Sequence, residues 1–199
     1  MPDLRRVRTI ALVVLAISVV LTGLGYGVNN VGLPPVFDLD GEWVVPSVWS
    51  CALLAAAAAA TWAARGDLGR ATVPVAALFA FMALDELASA HERLESAVGV
   101  DWQLLYAPVV LAGGVAWLLM LRDLRRVPVA AACWVLGAGA WFVAQVLEKL
   151  EWDGDVQRPG YFAKMYVEEF LEMGGSTLFL VSMLCVIVAV RGRAGCGAA

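Results

Sequence analysis

Acidic residues gather at the ends of three apolar segments, and the chain's one histidine stands among them. The first group is Asp85, Glu86, His91 and Glu92, the second is Glu148, and the third is Glu168, Glu169 and Glu172. Carboxylates beside an imidazole make a ligand set for a divalent metal ion. This set suits Fe, Mn or Zn better than Ca or Mg. The expected cofactor is therefore such an ion, with no cofactor as the alternative. Metal binding alone and a membrane-embedded metalloenzyme both fit the pattern; in an enzyme, a free carboxylate would act as base on metal-bound water. A two-histidine di-iron centre is excluded. Its Glu-x-x-His element is missing, because Ala88 stands three residues before His91, and there is no second histidine. Ser89 and His91 point apart at i, i+2, so they make no local nucleophilic pair. No GxSxG, HExxH or P-loop motif is present, and the four cysteines form no CxxC pair.

The acidic ends also have a plainer explanation, since acids outside a membrane are solvated at little cost. That explanation is taken for Glu95, Asp101, Glu151, Asp153 and Asp155. The run from Asp38 to Glu42 is read as a turn, because the rest of a calcium-loop pattern is absent.

Six apolar segments have to position these groups: 9–28, 47–64, 71–96, 102–121, 127–152 and 161–190. Each approaches the roughly 20 residues that a bilayer core of about 30 Å requires. Asn29-Asn30, Pro34-Pro35, Gly66, Gly99 and the stretch from Asp153 to Gly160 separate them. The expected fold is all-α, a polytopic transmembrane helical bundle in one domain over 1–199. At about 1.5 Å per residue, Asp85 lies roughly 21 Å from the opposite boundary, with His91, Glu148, Glu168 and Glu172 at roughly 28–34 Å. The candidates thus share one band. At about 100° per residue, three helices can aim carboxylates at a common centre.

The chain is 61% hydrophobic and only 16% charged, against roughly 45–50% and about 25% in soluble domains. This excludes an ordinary cytosolic enzyme and a disordered chain. Its net charge of −4 argues against nucleic acid as a partner. With the first residues in the cytoplasm, ten of the 14 basic residues fall inside and 15 of the 18 acidic ones fall outside or near the outer boundary. The positive-inside rule then gives six spans, N-in and C-in, in the bacterial cytoplasmic membrane, with the acidic band extracytoplasmic. The first apolar run is long for a signal peptide and is expected to stay as a helix. An acid at membrane depth costs several kcal/mol unless it is protonated, paired or ligated. Only Arg93, Lys149 and Lys164 lie close enough in sequence to pair.

The element from Phe81 through Asp85 and Glu86 to His91, Glu92 and Arg93, with that from Glu168 through Glu172 to Gly174, resembles the "LDE…HER" and "EExxEMxG" elements of a family of uncharacterised bacterial integral membrane proteins. The resemblance covers about 71–190. It implies that Asp85, Glu86, His91, Glu92, Glu168, Glu169 and Glu172 are one constellation. The leading reading is a metal-binding membrane protein with an outward-facing carboxylate and histidine cluster. A proton- or cation-coupled transporter or channel and an accessory membrane subunit are the alternatives. The lipid bilayer is the expected partner, and a homo-oligomer or a membrane partner subunit is compatible with the pattern.

Overall fold

The computed structural model describes the backbone over residues 2–153 and 156–196, and the side chains there except those of 2, 3, 92 and 191–196. Asp155 and the side chains of Asp3, Glu92, Arg191, Arg193 and Cys196 therefore lie outside what is described. The chain forms α1 (Pro2–Val31), α2 (Val45–Ala63), α3 (Thr72–Ala88), α4 (Ala90–Val98), α5 (Trp102–Leu105), α6 (Ala107–Leu124), α7 (Pro128–Lys149) and α8 (Tyr161–Cys196). Two short strands precede α8 and pair antiparallel, Trp152 opposite Gln157.

The boundaries follow local chemistry. Prolines sit in the first turns of α2, α6 and α7, where a missing N–H costs nothing. Asn29 and Asn30, expected to end α1, are inside it. The Asn30 amide donates to the Tyr26 carbonyl at 2.8 Å, and the helix stops only at Gly32, with φ of 75°. The continuous third span expected over 71–96 is instead broken. Ser89 adopts a left-handed conformation, φ 44° and ψ 45°, and splits the segment into α3 and α4. The segment expected over 102–121 likewise opens with a separate short turn, α5, whose N-terminus is capped by Asp101 accepting from the Gln103 N–H at 2.9 Å.

Among the described residues, five helices are long and apolar enough to cross a membrane: α1, α2, α6, α7 and α8. The outward faces of α1, α6 and α7 expose Leu12, Val20, Leu111, Leu118, Leu136 and Phe142, as a lipid solvent requires. The core lies around α8, which packs on α7, α1 and α2. Trp134 and Met183 are fully buried, and Phe79, Trp134 and Phe179 form a mutual aromatic cluster with ring centroids 4.9–6.0 Å apart. Two buried hydroxyls find carbonyls within the bundle: Thr61 donates to the Ala57 carbonyl at 2.7 Å, and Ser182 of α8 to the Ala130 carbonyl of α7 at 2.8 Å.

The α7–α8 contact depends on Gly137 and Gly175. A Cβ on Gly175 would stand 2.9 Å from the Gly137 carbonyl oxygen and 2.5 Å from the Trp141 ring, whereas one on Gly174 would meet nothing within 4 Å. Gly175→Ala should destabilise the detergent-solubilised protein by ~1–3 kcal/mol through overpacking. Gly174→Ala should be neutral or stabilising by up to about 1 kcal/mol. Equal unfolding midpoints for the two variants would contradict this packing.

Candidate functional site

The break at Ser89 builds one half of the site. In a continuous helix, residues 85 and 91 would be about 9 Å apart along the axis and on different faces. The left-handed turn folds α4 back, so that His91 Nδ1 lies 2.8 Å from Asp85 Oδ2. Tyr106, between α5 and α6, donates its hydroxyl to Asp85 Oδ1 at 2.8 Å. Both oxygens of Asp85 are thus engaged. The His91 ring also packs on Trp102, centroids 5.0 Å apart.

Trp102 links this half to the other. Its Nε1 donates to Glu148 Oε1 at 2.9 Å, and its backbone N–H donates to Glu95 at 3.1 Å. Gln103 reaches Glu148 Oε2 at 3.4 Å, and Gln145 donates to Glu172 Oε1 at 3.2 Å. Lys149 forms an ion pair with Asp101. Neutral donors therefore hold Glu148 and Glu172 in place.

Around them stand the remaining acids. Glu168 is buried, while Glu86, Glu169 and Glu172 are half-buried. The Glu172 carboxylate feels the charges of Glu168, Glu169, Glu86 and Glu148, and Glu169 those of Glu86, Asp40, Glu151 and Glu148. Of the residues expected in the site, Glu86, Glu148, Glu168, Glu169 and Glu172 thus lie within electrostatic reach of one another. Asp85 and His91 form an adjoining pair, and Glu92 lies on α4 beside them.

Two residues assigned to solvent or to a turn join the cluster. Glu151, expected to be solvated, is only 3% exposed, and its Oε1 is buried with no hydrogen-bond partner. Asp40 is exposed as a residue, but its carboxylate turns inward to accept from the Tyr161 hydroxyl at 2.7 Å. Leu39 anchors that turn in a small core with Leu53, Met165 and Met173. The sequence held one signal for Glu151, its i, i+3 spacing from Glu148. It held none for the Asp40–Tyr161 contact, which spans 121 residues. Asp153 behaves as expected, exposed and 3.7 Å from Arg158. Glu95 and Asp101 instead make the structural bonds described above.

Beyond the end of α7, burial pushes the Glu151 carboxyl up to about 7. The charges of Asp40 and Glu148 add to this, and Lys164 opposes it. Burial raises Asp40 as well, against the Tyr161 hydrogen bond. Lys164 is itself tied to the Leu150 carbonyl at 2.6 Å. As the side chains are placed, no three of His, Cys, Asp and Glu among the described residues are grouped to hold a metal ion.

Long apolar helices with an acidic cluster at one end are the make-up of a helical membrane protein. The chain belongs to the family defined by the domain of unknown function DUF8692, whose profile matches residues 7–187. No curated protein and no solved structure matches it.

Two outcomes follow from the site's geometry. A non-glycine residue in the left-handed region costs roughly 1–2 kcal/mol, so Ser89→Gly should raise the unfolding midpoint; a lowered midpoint would mean that the serine side chain stabilises the turn. For Glu151 the folded state holds its proton more tightly than the unfolded state. Its contribution to stability is therefore full below pH 4.5 and is lost as pH rises to about 7. The loss is read in chelator-treated protein as an unfolding midpoint that falls across that pH range. Unfolding of Glu151→Gln should lose this part of the pH dependence; an unchanged profile would rule out the assignment.

Proposed function

We propose that this is a six-span protein of the bacterial cytoplasmic membrane, with residues 2–8 and 191–196 on the cytoplasmic side, which binds a divalent metal cation in the acidic cluster on the extracytoplasmic side. Glu86, Glu148, Glu168, Glu169 and Glu172 form the centre, flanked by Asp85, His91 and Glu92. Charge is the observation that carries the reading. Seven carboxylates (Asp40, Glu86, Glu148, Glu151, Glu168, Glu169 and Glu172) act on one another, while among the largest influences on Glu148, Glu151, Glu168, Glu169 and Glu172 the basic groups are Lys164 at Glu151 and His91 at Glu148. Like charges crowded in a low-dielectric setting need a counter-charge or protons.

The sixth span is α3. Its 17 residues reach about 25 Å. The Gly69 N–H donates to Asp123 at 3.2 Å, so the α2–α3 and α6–α7 connections meet at one end of the bundle. That contact supports α3 running the full depth. Without this crossing, Arg122, Arg125 and Arg126 would fall on the side opposite Arg65 and Arg70, against the positive-inside bias. The Phe79, Trp134 and Phe179 cluster fills the bundle core with apolar rings. This favours a one-sided site over a transport path.

Metal analysis of protein purified without chelator tests the reading. The wild type should carry a divalent metal, and Glu168→Ala and Glu172→Ala should lose it while keeping their helical signal. A metal-free wild type that also takes up no divalent cation on titration would remove the reading, as would full occupancy in both variants.

A further inference from the structure

Glu151 carries the observation that the rest of the site does not absorb: a carboxylate oxygen sealed from solvent with no hydrogen-bond partner. Such a group is costly to bury and calls for a partner. It stands within electrostatic reach of Asp40, Glu148, Glu168 and Glu169. The other strong acceptors of the site are already engaged. Asp85 is bonded at both oxygens by His91 and Tyr106, Glu148 at both by Trp102 and Gln103, and Glu172 at one by Gln145. By contrast, beyond burial, the strongest forces on Glu168 and Glu169 are the charges of neighbouring carboxylates.

We infer that the metal site is an all-oxygen one, centred on Glu151, Glu168 and Glu169 with Asp40 at its edge, and that His91 positions Asp85 instead of binding the ion. The inference rests on the metal-binding reading above; it keeps Glu168 and Glu169, moves the centre toward Glu151 and Asp40 with Glu86, Glu148 and Glu172 around it, and names the cation class. Oxygen ligands without imidazole select hard cations, of the Mn²⁺, Mg²⁺ and Ca²⁺ class. The ligands come from three separate places: the 38–42 turn, the turn after α7, and the first turns of α8. The ion would therefore tie the α7–α8 connection to the α1–α2 connection. As placed, the described side chains do not converge on one ion; closing the set calls for rotation of the long glutamate side chains, and Glu168 and Glu169 both lie within electrostatic reach of Glu151.

Mn²⁺ is the probe, added to metal-stripped full-length protein in detergent. Pulsed EPR of the bound ion should show no nitrogen coupling from an imidazole. Titration should give an affinity that falls at least about tenfold in Glu151→Gln, falls measurably in Asp40→Asn, and falls far less in His91→Gln than in Glu151→Gln. Imidazole nitrogen coupling to Mn²⁺ in the wild type would overturn the inference while leaving a metal-binding protein; so would loss of affinity in His91→Gln with none in Glu151→Gln. If the wild type binds none of Mn²⁺, Mg²⁺, Ca²⁺ and Zn²⁺, the underlying metal-binding reading fails with it. The EPR measurement needs no variant, so it decides the ligand type even if a substitution disturbs folding.

Discussion

A carboxylate taken out of water beside other carboxylates is the most expensive feature of this molecule, and much of the structure at that end can be understood as a response to it. The response is a ring of neutral donors. Tyr106, Trp102, Gln103, Gln145 and Tyr161 each give an N–H or O–H to an acid. None of them cancels charge, but each replaces part of the hydration that burial removes. Residues 89–106 supply three of these donors, and they do so by leaving the straight course of a spanning helix. The left-handed Ser89, the short α4 and the single turn of α5 are the geometry that puts them over the acids.

Donors work only if the acids are held still, and this ties the site to the packing below it. In lipid there is no hydrophobic force drawing one helix to another, so close approach depends on small residues and shape. Gly137 and Gly175 bring α7 and α8 to backbone contact, with Trp141 laid across the joint and bonded to Ser176 at 3.2 Å. One turn away along the same two helices lie Gln145 and Glu172, which bond each other. The same contact that seats the helices therefore sets the distance between an acid and its donor.

How much of this could be read in the sequence differs from element to element. The apolar segments were legible because a bilayer fixes their length and composition, and α2 and α7 begin and end within three residues of the expected segments, while the other four helices differ by five to eight residues at one end. The acidic residues of α3, α7 and α8 were legible as one band because helical rise converts position into depth. The break at Ser89 was not. The stretch Glu86 to Ala90 has no proline or glycine and reads as good helix, and only tertiary contacts make the left-handed turn worth its strain. Glu151 was misread for a related reason. A glutamate just before a turn is normally wet, and its burial follows from Asp40 and Tyr161 arriving from far along the chain. The Trp102 bond to Glu148 likewise had no signal in the sequence, because it joins residues 46 positions apart.

The polarity of the bundle follows from the same accounting of charge and solvent. Away from the acids the interior changes at once to Phe79, Trp134, Phe179 and Met183, and its polar groups there, Thr61, Thr177 and Ser182, spend their hydroxyls on carbonyls. On the metal-binding proposal, a cation at the cluster would meet no further ligands along that apolar interior. Over the cluster the situation is reversed. The segment 89–106 is short, interrupted and tied down by single hydrogen bonds, the type of structure that opens at low cost, and it carries Leu94, Val98 and Leu104 on its exposed side. Its apolar surface suits the boundary between lipid and water, while its inner surface gives donors to the acids. On the metal-binding proposal, a cover with those two faces keeps the acidic end apart from bulk solvent and still leaves that end the one from which an ion would be exchanged.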